Sequence, residues 1–429
     1  MTELEPSDMT HSNDYFSFPI TNVYAKGGYT LSIFIGSEAA SANLILDTGS
    51  STLVVQAEDY DLAADDHLTP TSLAQSVTYG IGGWYGPVVK TKVALVTEDH
   101  LENVKLESTH VAVAEKTKNK NFALADGIIG LAYYELNKAY DLTSYLEHHK
   151  VNPSVTYPWF ACEENRDRSV TEFKSFLKQY PRQHLKPYFT QLTEHNVVAN
   201  QFAFYIHRSS IFQTESQKTA EQLEQEPLNQ GIFVMGMPRL RTDLYEGSFS
   251  VVKVLDDKYY NVHVESLQVG DCEPRKAPLL KEINQRYRSN GIVDTGASAI
   301  VLPKCLFDQL LEDLASVDPE FDKILEPYKT FEYVEEGVPI DQVAIEKWPI
   351  IKFNLMGFND ETVTLELAPE HYWQLHAPEP NQASFQFIFL EKWPNQCILG
   401  LPLLVPHYTI FDRRECQFGG LFFARKSSV

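Results

Sequence analysis

The feature that most constrains this chain is a pattern that occurs twice, once in each half. Each copy has an apolar stretch led by an aromatic residue and ending in Gly, then an apolar pair followed by Asp-Thr-Gly, and later a second apolar pair followed by Gly. The segments are YTLSIFIG, ILDTGSS and IIG in the first half, and YYNVHVESLQVG, IVDTGAS and ILG in the second. Because the parts keep their order, the sequence predicts two related lobes in one chain.

Most of the remaining sequence is typical of β-strands. Short apolar and aromatic runs are bounded by Gly, Asp, Asn or Pro, and helical spacing is rare. The clearest strands are 29–35, 87–96, 259–269 and 350–355, and the clearest helices are 141–150, 171–180 and 303–315. A chain of 429 residues is long enough for two lobes of moderate size. We therefore expect an all-β fold with few short helices.

The repeat also suggests where the lobes begin and end. Residues 1–27 precede the first strand pattern and are assigned to an N-terminal extension. The N-terminal lobe is expected to span 28–250, and the C-terminal lobe 251–429. Two inserts depart from strand patterns. Residues 135–186 are rich in charge and Tyr, whereas 213–230 are polar and predict a mobile surface loop.

Charge and cysteine content narrow the partners and the compartment. The chain has 36 Lys and Arg against 58 Asp and Glu, a net charge of −22, which disfavours nucleic acid and membrane surfaces as partners. The first residues lack the basic start and apolar core of a secretory signal. The 5 cysteines are widely spaced and show no metal-binding pattern. We expect free thiols, a cytoplasmic location, and neither metal nor other cofactor.

The strongest candidates for chemistry are the two Asp-Thr-Gly turns. They are Asp47-Thr48-Gly49 and Asp294-Thr295-Gly296. Two surface β-turns would also account for Asp and Gly. That alternative explains neither the repeated Thr nor the apolar flanks, which would carry both turns into the interior.

If the turns meet between the lobes, their residues can act together. Two carboxylates about 3 Å apart cannot both ionise, so they share one proton. One carboxylate can then take a proton from bound water while its partner protonates a peptide carbonyl. Gly49 and Gly296 would let the backbone come close, and the hydroxyls of Thr48 and Thr295 can hold the turns rigid across the interface.

These motifs resemble the pepsin family of aspartic proteases, family A1. The segments that carry the resemblance are ILDTGSS, IVDTGAS, DGIIGLA, CILGLPLLVPHYTIFD and VTYGIGGWYG. They belong to the stretches 28–208, 231–303 and 348–424, apart from the insert at 135–186. The resemblance implies two β lobes with a substrate cleft between them, and a hairpin flap at about 76–90 above the cleft.

The resemblance assigns roles to matching residues. Asp47 and Asp294 are the expected catalytic pair of an aspartic endopeptidase, and Ser50 is expected to hydrogen-bond Asp47. The substrate-binding candidates are the flap residues Tyr79, Gly80 and Gly82 and the cleft residues Gly49 and Gly296; the supporting candidates are Thr48, Ser50, Thr295 and Ala297. The family further implies a peptide or protein substrate with apolar residues around the cleaved bond, inhibition by pepstatin-type compounds, and a monomer.

Two positions depart from the usual residues of the family. Val54 stands where the family often has a Trp that partners the flap tyrosine. Trp84 could compensate, although packing is the commoner role of an aromatic residue. Ala297 stands where pepsins often carry Thr, so it offers Asp294 no hydroxyl. Because losing a hydrogen bond to the charged form raises the pKa of a carboxyl group, we expect activity at less acidic pH than that of pepsin.

The disulfide pattern of the family is also missing, and little sequence precedes Tyr29 for an inhibitory prosegment. The chain is in these respects most similar to the prosegment-free pepsin homologues of bacteria, so we expect an enzyme that is active as translated. A catalytically silent pepsin-like binding or inhibitor protein is the alternative. Such proteins usually have a damaged Asp-Thr-Gly motif, whereas both copies here are intact.

Overall fold

The chain is rich in strands throughout a computed structural model that describes residues 14–79, 82–97, 104–118, 122–158, 168–214, 218–281, 287–330, 336–414 and 417–427. The strands of the first part of the chain are β1 (Tyr15–Ala25), β2 (Gly28–Ile35), β3 (Ala40–Asp47), β4 (Leu53–Gln56), β5 (Thr69–Tyr79), β6 (Gly82–Leu95), β7 (Val104–Ala114), β8 (Lys116–Lys118), β9 (Gly127–Gly130), β10 (Lys138–Asp141), β11 (Arg182–His184), β12 (Gln201–Ile206), β13 (Gln230–Gly236) and β14 (Tyr245–Lys253).

The strands of the second part are β15 (Tyr260–Val262), β16 (Val264–Val269), β17 (Arg275–Lys276), β18 (Gly291–Val293), β19 (Ile300–Leu302), β20 (Val338–Pro339), β21 (Ile351–Met356), β22 (Thr362–Leu367), β23 (Trp373–Leu375), β24 (Gln382–Phe385), β25 (Phe387–Phe389), β26 (Cys397–Leu399), β27 (His407–Asp412) and β28 (Gly420–Lys426). The α-helices are α1 (Thr143–His148), α2 (Val170–Leu177), α3 (Tyr188–Glu194), α4 (Ala220–Glu224), α5 (Lys304–Val317), α6 (Pro319–Ile324), α7 (Pro369–Tyr372) and α8 (Leu401–Leu404). Within the described ranges, none of the helices has both the length and the apolar content that crossing a bilayer requires.

The two parts of the chain repeat one arrangement of strands. In the first part β3 runs parallel to β9, while β4 is antiparallel to β9 and parallel to β7. In the second part β18, β26, β19 and β25 pair in the same senses. The apolar pairs of the sequence repeat form the paired strands, because a strand buried on both faces needs apolar residues at every position. This confirms the predicted architecture of two lobes built mainly from strands.

One continuous sheet joins the two ends of the chain. Its strand order includes β2-β1-β13-β12-β27-β28-β14, so the last two strands pair with strands from the middle of the chain. Residues 15–25, which the sequence interpretation assigned to an extension, form β1 inside this sheet, between β2 and β13. The carboxyl end of the chain is thereby hydrogen-bonded into the same sheet as its beginning.

The insert at 135–186 is attached to an edge of this sheet. Strand β10 pairs with β5 on one side and β11 on the other. Helix α2 begins with a reciprocal capping box between Ser169 and Glu172 and turns Val170, Phe173 and Leu177 inward. The spacing of those apolar residues is why the sequence predicted a helix at 171–180.

The interpretation of 213–230 as a mobile surface loop did not anticipate the short helix in its middle. Helix α4 lies there, and Thr219 and Gln222 cap its first turn reciprocally. Leu223 is only 7% exposed, and the hydroxyl of Tyr24 donates to Glu224 at 2.9 Å. A single apolar anchor and a capping box therefore order a segment that looked too polar to fold. Residues 215–217 lie outside the described part of the chain.

His371 of α7 and Lys426, the last residue of β28, are basic residues with lowered pKa values. Burial lowers the pKa of His371 to about 4, against an opposing effect of Glu370. Burial lowers the pKa of Lys426 to about 8, and its ammonium group donates to the carbonyl of Ile206 at 2.6 Å. An unfolded histidine has a pKa of about 6.5. Since the unfolded state then binds one proton more than the folded state between about pH 6.5 and 4, His371 makes the protein less stable as pH falls through that window.

We predict that His371→Gln reduces the acid sensitivity of the fold. The free energy of unfolding of the parent chain should fall relative to that of the variant by up to about 1.4 kcal/mol per pH unit between pH 6.5 and 4. Urea unfolding at pH 7.5, 6.0 and 5.0 measures this difference. The exposed His148, changed to Gln, controls for the substitution itself. Parallel pH profiles for the parent and His371→Gln would contradict the prediction.

Candidate active site

Asp47 and Asp294 lie at equivalent strand ends of the two lobes. Asp47 is the last residue of β3, opposite Gly130 of β9, and Asp294 directly follows β18. The N–H of Leu131 donates to the carbonyl of Asp47 at 2.7 Å. The N–H of Asp294 donates to the carbonyl of Leu399 at 3.1 Å. Each turn is thus held to the neighbouring strand that ends in the second apolar pair of the repeat.

The two threonines of the motif bind each other's turns crosswise. The hydroxyl of Thr48 accepts from the N–H of Thr295 at 2.9 Å, and the hydroxyl of Thr295 accepts from the N–H of Thr48 at 3.0 Å. The same hydroxyls donate to the carbonyls of Val293 (3.1 Å) and Leu46 (2.7 Å). Both side chains are buried, at 0% and 1% exposure. These four bonds join the two lobes at the site itself.

Gly49 and Gly296 allow the two turns to come this close. A Cβ atom on Gly49 would lie 2.5 Å from Oδ2 of Asp294, and one on Gly296 would lie 2.6 Å from Oδ1 of Asp47. Both distances are too short for real atoms, so a side chain at either position would displace the carboxyl group of the opposite turn. The geometry therefore places each carboxyl group against the glycine of the opposite turn, and the two carboxyl groups beside each other.

The two carboxyl groups accept different sets of hydrogen bonds. Asp47 accepts from the N–H of Gly49 at 2.7 Å and from the hydroxyl of Ser50 at 2.6 Å. Asp294 accepts from the N–H of Gly296 at 2.9 Å. Ala297 stands three residues after Asp294, as Ser50 does after Asp47, and it has no hydroxyl to offer. The pair is therefore chemically asymmetric although the backbone of the two turns is repeated.

This asymmetry decides which carboxyl group keeps the shared proton. Burial, followed by the negative charge of Asp47, raises the pKa of Asp294 well above its ordinary value. Burial also raises the pKa of Asp47, but the bonds from Ser50 and Gly49 oppose that effect. The proton therefore favours Asp294, and the charge favours Asp47.

The hairpin of β5 and β6 carries the flap candidates. Tyr79 is the last residue of β5 and pairs with Gly82, the first residue of β6. Gly80 lies outside the described residues. Trp84 is 1% exposed and belongs to an apolar cluster that includes Val54. The indole thus belongs to the same buried cluster as the residue that replaces the usual tryptophan of the family.

Sequence reasoning missed a set of residues that support the first turn. The hydroxyl of Tyr260 donates to the carbonyl of Leu131 at 2.9 Å and accepts from Nε of Arg413 at 2.8 Å. The guanidinium group of Arg413 also donates to the carbonyls of Leu131 and Ala132 and lies 4.4 Å from the centre of the Tyr133 ring. Arg413 follows β27 and Tyr260 begins β15, so no local pattern links them to Asp47.

Comparison with known proteins relates this geometry to one family. The family model described as eukaryotic aspartyl protease matches residues 28–176 and 177–420. A beta-secretase of Strongylocentrotus purpuratus is 20% identical over 418 residues, covering 93% of this chain and 66% of that protein, just under two thirds of its length. Cathepsin D of Rattus norvegicus is 24% identical over 415 residues, covering 92% of this chain and 80% of that protein. Since the family model covers most of the chain, the chain belongs to the pepsin-like eukaryotic aspartyl protease family.

Proposed function

We propose that the protein is an aspartic endopeptidase that cleaves peptide bonds with Asp47 and Asp294. The observation that carries the proposal is the crosswise binding of Thr48 and Thr295, which holds the two carboxyl groups side by side. Asp47 serves as the general base that takes a proton from a water molecule held between the carboxyl groups. Asp294 donates its proton to the peptide carbonyl as the water attacks, so the carbonyl oxygen becomes a hydroxyl without a covalent enzyme intermediate. Asp47 then passes its proton to the amide nitrogen as the C–N bond breaks, and Asp294 takes a proton from one of the two hydroxyls, which leaves a carboxylic acid, a free amine and both carboxyl groups in their starting states.

We predict that Asp47→Asn and Asp294→Asn each remove cleavage, because an amide can neither accept the water's proton nor donate the shared one. In either variant, the rate of cleavage of a quenched peptide with apolar residues at its centre should fall by about 10²- to 10⁴-fold or more. Circular dichroism checks that the variants fold. Pepstatin should inhibit the parent chain.

Three other outcomes would each bear on the proposal in a different way. A folded parent chain that binds pepstatin but cleaves no peptide would have an intact site closed to these substrates. A folded parent chain that neither cleaves nor binds pepstatin would favour a silent pepsin-like binding or inhibitor protein. Retained cleavage in both Asn variants would exclude the two aspartates as the catalytic pair.

The asymmetry between Ser50 and Ala297 predicts the limits of the pH profile. Loss of the shared proton from Asp294 sets the alkaline limit, and protonation of Asp47 sets the acid limit. Ala297→Thr adds a donor to ionised Asp294, so the alkaline limit should move to lower pH. Ser50→Ala removes a donor from ionised Asp47, so the acid limit should move to higher pH. Each shift should be about one to two pH units, since a hydrogen bond to a charged group makes a net contribution of about 1.5–3 kcal/mol.

Plots of kcat/KM against pH for the parent and the two variants measure these shifts. The parent should be active at less acidic pH than pepsin, as Ala297 led us to expect. A parent optimum confined to strongly acid pH would contradict this part of the proposal. So would an alkaline limit that Ala297→Thr leaves in place.

A cavity of about 600 Å³ next to the second turn supports binding of a large apolar side chain. Ser298, Ala299 and Val301 line it, continuing from the turn of Asp294. Its other apolar lining includes Tyr328, Phe385, Phe387 and Phe389. We propose that an extended peptide lies across the cleft and places one such side chain here.

Narrowing this cavity should change substrate preference rather than chemistry. Ala299→Leu should lower kcat/KM by about tenfold for peptides with a large aromatic residue at the position whose side chain occupies the cavity. Peptides with Ala at that position should be unaffected. A peptide library varied at each position around the cleaved bond identifies that position. Ala315→Leu, on α5 and outside the cavity, is the matched control. An equal loss for all peptides would contradict the assignment of the cavity.

The state of the cysteines supports a proposed location in the cytoplasm. Cys272, Cys305 and Cys397 are free thiols in the described part of the chain. Burial raises the pKa of Cys397 to about 12, so this thiol is held in its unreactive form. Alkylation of the protein in fresh lysate, together with cell fractionation, tests the location. Likeness to bacterial homologues, and a monomeric state, stay predictions of the sequence.

A further inference from the structure

The insert is built onto the hairpin that carries Tyr79. Strand β10 extends the sheet beyond β5, through the pairs Tyr140↔Ala74 and Asp141↔Leu73. Helix α2 then packs against the strands of the hairpin, which we define as β5 and β6. We call α2 the brace helix.

Contacts of the brace helix concentrate near the tip of the hairpin. The ring of Phe173 stacks on that of Tyr85, with centroids 4.1 Å apart and planes 16° apart. The ammonium group of Lys174 donates to the hydroxyl of Thr78 at 2.5 Å. A Cβ atom on Gly83 would lie 3.1 Å from Cγ1 of Val170, so helix and strand are close packed there. Thr78 and Gly83 are the immediate neighbours of Tyr79 and Gly82.

As a result, strand β6 is covered on both faces. Trp84 packs in the cluster with Val54 on one face, while Tyr85 packs with Phe173 and Leu177 on the other. The two side chains are 1% and 3% exposed. Because successive residues of a strand point to opposite faces, removal of the brace helix would uncover one whole face of the hairpin.

The brace helix is itself firmly anchored, so it can position the hairpin. Its capping box satisfies the first turn, and Phe173 and Leu177 are 1% and 0% exposed. The carbonyl of Arg168, just before the helix, accepts from the ammonium group of Lys116 at 3.1 Å. Lys116 belongs to β8, which pairs with β6. The helix and the hairpin are therefore linked through both strands of the hairpin and through β8.

We propose that the brace helix sets the position of Tyr79 and Gly82 relative to the aspartate pair, and thereby the affinity for an extended peptide. Phe173 and Lys174 are positioning residues, since they act through Tyr85 and Thr78 and do not touch the carboxyl groups. This inference rests on the proposed endopeptidase function for its effect on substrates. Its structural part, the dependence of the hairpin on the helix, holds independently of catalysis.

The test compares Phe173→Ala with Phe176→Ala. Both truncations remove a buried ring from the same helix and cluster, but the aromatic neighbours of Phe176 are Tyr145, Tyr180 and Phe173 rather than the hairpin. Hydrogen exchange of residues 74–79 and 82–88 reports on the hairpin without any need for cleavage. We expect exchange there to rise about tenfold in Phe173→Ala and not in Phe176→Ala, because an aromatic stack contributes up to about a factor of ten.

Kinetics then test the effect on substrate. Phe173→Ala should raise KM for the quenched peptide and weaken pepstatin binding, each by about tenfold, with kcat nearly unchanged. Phe173→Tyr should restore both values, since it keeps the ring. Lys174→Met provides a second, milder variant in case Phe173→Ala fails to fold, and Lys178→Met on the exposed end of the helix is its control.

The outcomes separate the two proposals. Equal effects of Phe173→Ala and Phe176→Ala on hydrogen exchange of the hairpin and on pepstatin binding would contradict the proposed role of the brace helix. A loss of kcat with unchanged KM would overturn it as well, because the helix would then act on the chemistry. A folded parent chain that neither cleaves nor binds pepstatin would refute the endopeptidase, while the hydrogen exchange of the hairpin in the variants would still decide whether the brace helix positions it.

Discussion

The crosswise hydrogen bonds of Thr48 and Thr295 are the interaction on which the site depends. Each hydroxyl is buried, accepts one N–H and donates to one carbonyl, so its hydrogen-bonding capacity is used across the interface. A buried hydroxyl or amide without a partner costs about 1–3 kcal/mol. Any displacement of one lobe relative to the other would break several of these bonds together. The four bonds thus fix the separation of the two turns that carry Asp47 and Asp294.

A repeated backbone with an unrepeated side chain yields two different carboxyl groups. The strand pairing around Asp47 and around Asp294 is the same in sense and order. Only the first turn has a hydroxyl, from Ser50, that binds its aspartate. Symmetry brings the carboxyl groups together, and the difference between Ser50 and Ala297 distributes the proton between them. In the proposed reaction, general acid and general base would therefore be distinct from the start.

The structure surrounds this pair with supports that come from distant parts of the chain. Arg413, from the end of the chain, and Tyr260 bind the loop that follows β9, and that loop binds the turn of Asp47. On the opposite side the insert packs its helix on the hairpin of Tyr79. Both supports bury aromatic rings in defined geometry: Tyr133 and Tyr260 face the guanidinium group of Arg413, and Phe173 stacks on Tyr85. The site is thus positioned by the whole fold, not only by its own turns.

Local patterns were sufficient to predict several parts of the fold. The strands near 29–35 and 350–355 and the helix near 303–315 occur close to their predicted bounds, because apolar periodicity and turn residues act over a few neighbours. Prediction of strands and helices failed where tertiary contacts outweigh these local preferences. The strand expected over 259–269 is divided at His263 into two strands that belong to different sheets. Helix α4 formed because Leu223 finds a buried position, which a polar sequence does not reveal.

The sequence by itself determined which residues could form a catalytic pair, since Asp-Thr-Gly after an apolar pair is a local motif and it occurs twice. It also determined the asymmetry of the pair, because the residue three positions after each aspartate is read directly from the chain. Only the tertiary structure decided that the turns bind each other, that Trp84 and Val54 share one buried cluster, and that the insert packs against the hairpin. The physical reason is that these contacts join residues far apart in the chain, and their energy depends on a geometry that no short pattern encodes.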